Sequence, residues 1–149
     1  MRIEYLLDTC IIIEIFHANE KTRKWIEDNS DKVMYISGWT IIELLKDKKG
    51  KTEMENCLKK LSQYRVVWNK PEFSDEIPEI LTEHFHTQRN TDGSLKGGAI
   101  FDVIIYCTAK SNNLTIVTRN GKDFSFQKDV DLLNLDMIEE YKNDTSSRS

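Results

Sequence analysis

The sequence predicts an α/β fold, a three-layer α/β/α sandwich around a central parallel sheet, and three observations carry that prediction. Short apolar or β-branched runs recur along the chain as strand candidates, and helically spaced stretches lie between them. Strands that alternate with helices are joined by crossovers, which makes the sheet parallel and covers its faces with helices. At 149 residues the chain has the size of one domain with one core. The expected domain covers residues 1–142, and the polar tail 143–149, "NDTSSRS", is expected to be disordered.

Residues 2–7 alternate loosely and then turn fully apolar, which suits a buried strand ending at Asp8. A helix is expected over 9–16, and a second over 21–29 with Trp25 and Ile26 facing inward. "VMYI" at 33–36 reads as a strand, after which residues 37–40 offer capping side chains to a helix carrying Ile41, Ile42, Leu44 and Leu45. Gly50 breaks that helix, and Met54, Cys57, Leu58 and Leu61 resume helical spacing over 54–64. "RVVW" at 65–68 reads as a third strand. Pro71 and Pro78 punctuate the next segment, where Ile77, Ile80, Leu81 and Phe85 favour a helix to about residue 88. The polar stretch 89–98 is a loop, "IFDVIIYCTAK" at 100–110 a strongly apolar helix, and "LTIVT" at 114–118 a strand. "VDLLNL" at 130–135 reads as a last short strand, with a terminal helix over 137–141.

Hydrophobic residues make up 39% and charged residues 31%, the balance of an ordinary folded chain. The longest stretch without a charge, 33–42, is half of what a membrane-spanning helix needs, so no membrane association is expected. Glu4, Asp8 and Glu14 interrupt any secretory h-region, and a cytoplasmic location is expected. Cys10, Cys57 and Cys107 are odd in number, widely spaced and without a CxxC, and read as small core residues. A net charge of -4 argues against a grip on nucleic acid by bulk positive charge. The densest basic run, "KDKKGK" at 46–51, reads on its own as a solvated loop.

Ligands of open parallel sheets bind outside the carboxyl ends of the strands. Asp8 lies at such an end, and "TRNGKDF" at 118–124 leaves another with hydrogen-bonding side chains and Asp123. Asp102 opens an apolar helix and Glu43 sits in the first turns of another. Four acids from four segments are thus positioned to meet at one sheet edge. Each also has a plainer reading. Asp8 suits a helix cap, and Thr40 with Glu43 matches a capping box. Asp102 suits a helix dipole, and Asp123 a turn. Together the acids suit magnesium or manganese, hard ions that keep several waters and need few carboxylates. Such ions activate water and steady the oxygens of a phosphodiester. No P-loop, GxGxxG, GxSxG or HExxH offers a rival. His84 and His86 are two apart and point to different helix faces, and with His17 they are expected at the surface.

Four segments, "YLLDTCIII", "SGWTIIELL", "GAIFDVIIYCTAK" and "LTIVTRNGKDF", resemble in order and spacing the PIN-domain ribonucleases, especially the VapC-like toxins of toxin-antitoxin pairs. The resemblance implies that Asp8, Glu43, Asp102 and Asp123 are the catalytic and metal-coordinating acids. Thr118 would be the small hydroxyl residue of the pocket, Asn120 a supporting or substrate contact, and Thr9 a hydrogen-bonding support. It further implies a PIN-like sandwich, Mg2+ or Mn2+, endonucleolytic cleavage of RNA, a small antitoxin partner and a homodimer. One departure is the stretch Gly97, Gly98, Ala99, Ile100, where the family often carries a further polar or acidic residue; a weaker second metal follows. Lys46, Lys48, Lys49, Arg119 and Lys122 are the basic residues available to RNA.

Two other nuclease-like or non-enzymatic roles stand beside this one: an RNA-processing PIN nuclease without an antitoxin, and a catalytically silent module on the same fold. A phosphate-accepting signalling domain wants two adjacent acids at the first strand, which "EYLLD" does not supply.

Overall fold

The first strand, β1 (Tyr5–Leu7), has only three residues and runs through the middle of the sheet. In the computed structural model, which describes residues 2–69 and 76–144, it lies between β2 (Met34–Ser37) and β4 (Thr115–Thr118). With β3 (Arg65–Val67) beyond β2 and β5 (Leu132–Asn134) beyond β4, the order is β3-β2-β1-β4-β5, and every pairing is parallel. Leu6 pairs with Tyr35 on one side and Ile116 on the other, and Leu7 pairs with Val117.

Strand alternation sends these residues to opposite faces, and each face has its own core. Leu6 and Ile116 pack with Val103, Ile105 and Tyr106 of α6 (Ala99–Asn112), while Leu81 and Phe85 of α5 (Glu76–Thr87) pack against that cluster. Leu7 and Val117 pack on the other face with Ile11 and Ile12 of α1 (Thr9–Phe16) and Trp25 of α2 (Glu20–Asp28). Cys57 and Leu61 of α4 (Lys51–Leu61) complete that cluster, against which Ile41, Leu44 and Leu45 of α3 (Gly38–Leu45) pack. The result is the expected three-layer sandwich. Full burial of each such aliphatic side chain is worth about 1.5–3 kcal/mol, which fixes the sheet and its register.

Most helices fall where the periodicity places them, with three differences. α3 is capped by Ser37, whose side chain accepts from the Trp39 amide, so Thr40 lies inside the helix and the capping box of Thr40 and Glu43 does not form. α4 starts at Lys51 rather than Met54. The terminal helix expected over 137–141 is absent: a 3-10 turn, Leu135–Met137, is followed by Ile138 in extended conformation, with Ile138 and Tyr141 both packed on the core. Gly38 lets the Trp68 indole lie against bare backbone, since a Cβ there would come within 2.2 Å of the ring. Cys57 and Cys107 are buried, as read, and all three cysteines are free. Pro71 and residues 145–149 of the expected tail lie outside the described residues. Among the described residues no helix is long and apolar enough to cross a membrane.

Candidate functional site

The chain reaches β2 and β3 on one side of β1 and then returns to β4 and β5 on the other, so the order reverses between β1 and β4. Crevices form at the carboxyl ends of strands at such a point. Asp8 directly follows β1, and Thr118 ends β4. The Thr118 hydroxyl donates to Asp8 Oδ2 at 2.8 Å and accepts from the Asn120 amide at 3.0 Å. Asp8 also accepts from the Thr9 amide at 2.9 Å, so it caps α1 as well as facing the crevice. The Thr9 hydroxyl donates to Glu43 Oε2 at 3.0 Å and lies 3.3 Å from the Thr40 hydroxyl. A continuous chain of hydrogen bonds therefore links Glu43, Thr9, Asp8, Thr118 and Asn120 across three elements.

Asp102 sits in the first turn of α6, and Asp123 in a 3-10 turn, Gly121–Phe124, that follows β4. Burial pushes the Asp102 carboxyl up to about 7, helped by the negative charges of Asp123, Asp8 and Glu43. Burial also raises Asp8, against the hydrogen bonds of Thr118, Thr9 and Cys10 that favour its charged form, with Asp123 adding to the rise. The four acids thus lie close enough to act on one another, and the charges acting on Asp102 are all negative. Among the described residues no three His, Cys, Asp or Glu side chains form a group closed enough to hold one metal ion. The donor chemistry nevertheless suits a hard divalent cation: every donor is a carboxylate oxygen, and a cation offsets the burial and the repulsion that raise Asp102.

Two residues near these acids were not singled out as functional. Cys10 places Sγ 3.5 Å from Asp8 and 3.6 Å from Thr118, and burial together with the Asp8 charge pushes its thiol up to about 12, so it remains a neutral wall. His84 is only 4% exposed, contrary to the expected surface placement, and its ring lies 4.0 Å from that of Phe126. Its place on the stripe of Ile80, Leu81 and Phe85 was the available signal. His86 and His17 are exposed as expected.

Arg119 also departs from expectation. Read as a basic residue available to RNA, it is buried, donating to Glu14 at 2.6 Å, to Asp136 at 2.8 Å and to the Thr22 hydroxyl at 2.8 Å. These bonds tie the end of β4 to α1, α2 and the Leu135–Met137 turn. Lys46 and Lys48 are better placed, lining with Thr9, Glu43 and Phe16 a groove beside the site.

Comparison with known proteins agrees with this architecture. Among solved structures, the chain is similar to VapBC2 from Rickettsia felis bound to a DNA fragment from its promoter (24% identity, TM-score 0.60, 89% of this chain and 98% of that one). It is similar to a toxin-antitoxin complex from Klebsiella pneumoniae (25% identity, TM-score 0.53, covering 82% and 91%). VapBC-1 from nontypeable Haemophilus influenzae has the same fold at 18% identity (TM-score 0.58, covering 89% and 98%). No curated protein sequence matches. The family model of the PIN domain matches residues 5–128, from β1 through the four acids to the turn beyond β4, and the chain belongs to the PIN domain family.

Proposed function

We propose that this protein is a divalent-metal-dependent endoribonuclease and the toxin of a toxin-antitoxin pair. The observation that carries the reading is the cluster of Asp8, Glu43, Asp102 and Asp123, in which one acid is driven to about 7 by burial and by the other three. Carboxylates gathered in this way are matched to Mg2+ or Mn2+. Membership of the PIN domain family supports a nuclease, and the likeness to toxin-antitoxin complexes supports an antitoxin partner. A homodimer is part of the same reading.

Asp8, Glu43, Asp102 and Asp123 would hold the cation. Bound there, it supplies the positive charge that favours ionisation of an attacking water and neutralises the phosphodiester. The protein's own groups do the positioning. Thr118 and the Thr9 amide fix the Asp8 carboxylate, and the Thr9 hydroxyl fixes Glu43. Asn120, exposed at the mouth and anchored through its amide on Thr118, is free to meet the substrate with its side chain. Lys46 and Lys48 flank Glu43, and Lys122 flanks Asp123, so phosphates on either side of the acids find a cation although the chain is acidic overall.

The test is cleavage of RNA with magnesium, with manganese and with chelator, read by sequencing the fragment ends. A metal-dependent cut that Asp8→Asn and Asp102→Asn abolish, with both variants folded, is the expected result. Retained cleavage in both purified variants at full metal sinks the mechanism. A neighbouring reading frame whose product binds the protein and blocks the cut separates the toxin from a processing nuclease.

A further inference from the structure

Trp25 is buried in the core, but the other two tryptophans stand in solvent, Trp39 exposed by 39% and Trp68 by 51%. Both leave the carboxyl ends of strands: Trp68 directly follows β3, and Trp39 lies in the first turn of α3 after β2. Asp8 follows β1 at that same end of the parallel sheet, so indoles and acids share one edge.

Neither indole is loose. The two rings meet edge to face with their centroids 5.4 Å apart. Trp39 Nε1 donates to Asn69 Oδ1 at 3.0 Å, Asn112 Nδ2 donates to the Trp68 carbonyl at 3.1 Å, and the bare backbone of Gly38 lets the Trp68 ring close on it. Apolar side chains scattered singly over a surface are ordinary, whereas two large rings fixed side by side in water mark a binding surface. With its one N–H already bonded, Trp39 has only its π surface left to offer.

α3 connects this surface to the acids. Trp39, Glu43 and Lys46 stand at i, i+4 and i+7, on one face of the helix and within about 10 Å along its axis. Lys46 Nζ lies 5.9 Å from the centre of the Phe101 ring, and Phe101 adjoins Asp102. Glu43 thus stands between an exposed indole and an exposed lysine, in the order aromatic, carboxylate, cation. A nucleic-acid strand matches that order: a base for the ring, a phosphodiester with its metal for the carboxylate and a further phosphate for the lysine. An apolar protein surface matches the rings but not the charges that follow them.

We infer that Trp39 and Trp68 form a stacking platform for a base of single-stranded RNA, a short way along the strand from the bond that the acids address. The inference rests on the ribonuclease reading above and deepens it. Rings accept any base whose face is free, so the platform favours unpaired RNA over a duplex, in which bases already stack on one another.

The test uses the full-length protein with magnesium or manganese. RNA substrates carrying one abasic ribose at a time are cleaved by the wild type, by a Trp39→Ala, Trp68→Ala double variant and by a Trp39→Phe, Trp68→Phe double variant that keeps both rings. At a position to one side of the cut, the wild type loses about tenfold in kcat/KM, carried by KM, and the alanine variant less than about twofold. The phenylalanine variant keeps part of the difference. Equal losses for wild type and alanine variant at every position overturn the inference, provided thermal melting shows the variant folded. If the alanine variant instead turns a dimer into a monomer in sedimentation while those losses stay equal, the face is an interface between copies and the inference falls. A second measurement does not depend on cleavage: tryptophan fluorescence of the metal-free protein is followed at low salt during titration with a short oligoadenylate and with an abasic ribose-phosphate chain of the same length. Quenching that the abasic chain does not reproduce, and that the phenylalanine variant with only Trp25 lacks, supports the platform; identical responses overturn it. If the wild type cleaves no RNA, the ribonuclease reading fails while this titration still decides the platform.

Discussion

Thr118 and Arg119 are neighbours at the end of β4, yet they open onto two charged regions of opposite character. Arg119 faces Glu14 and Asp136, with Thr22 and Asn143 donating into the same cluster, so the acids there meet a guanidinium that the chain itself provides. Thr118 faces Asp8, and beyond it Glu43, Asp102 and Asp123, where the chain provides hydroxyl and amide donors to Asp8 and Glu43. Both regions take acids out of water. The first sets a cation of the chain itself against its acids and serves as a joint; the second gathers acids around hydroxyl and amide donors and is suited to a cation from outside.

That contrast is sharpest when one charge is removed from each region. Asp102→Asn lowers RNA cleavage about a thousandfold, equivalent to about 4 kcal/mol of barrier, in a steady-state assay with saturating metal. The same substitution stabilises the metal-free protein by about 1 kcal/mol in urea denaturation, because it removes a charge that its surroundings disfavour. Arg119→Ala does the reverse. It leaves Glu14 and Asp136 without their cation and costs about 3 kcal/mol of stability, read by the same denaturation.

The pH dependence separates the regions next. Asp102 is raised in the folded protein to about 7 from an ordinary value of 3.8, so between those values the folded state holds a proton that the unfolded state has lost. Its contribution is fully present below the unfolded value and is lost as pH rises through the folded one. In chelator, the stability advantage of Asp102→Asn over wild type is therefore largest at about pH 8 and shrinks towards about pH 5, as thermal melting will show. Saturating magnesium reverses the order at about pH 8, since the ion binds the deprotonated site. The smallest effect belongs to Thr9→Val. Losing the hydroxyl that holds Glu43 weakens divalent binding by about tenfold in calorimetry and changes stability by about 1 kcal/mol.

The strands were legible because β-branched and apolar residues cluster in short runs, and α1 because Asp8 offers a cap to a mostly apolar stretch that runs to Phe16. Asp8, Glu43, Asp102 and Asp123 were legible as candidates by their placement at strand ends and first helical turns. That Glu43 bonds Thr9 instead of closing a capping box was not legible, because the partner is 34 residues away. Arg119 and His84 misled for a related reason. Taken alone, an arginine beside a loop and a histidine in a polar helix read as surface; only tertiary partners, Glu14 and Asp136 for one and Phe126 for the other, make their burial tolerable. The missing last helix belongs with them. The segment after β5 gives up helical hydrogen bonds so that Asp136 reaches Arg119 while Ile138 and Tyr141 pack on the core.

The hydrogen bond between Asp8 and Thr118 joins residues 110 apart in the chain. During synthesis the first acid emerges long before the strand that fixes it, and Asp123 follows later still. Loop closure over such a span must precede any productive geometry. A growing chain still lacking β4 therefore carries Asp8, Glu43 and Asp102 without the Thr118 and Asp123 that complete the cluster. On the ribonuclease reading proposed above, a protein made by a machine built of RNA thus withholds its cutting site until β4 and the turn after it have been made.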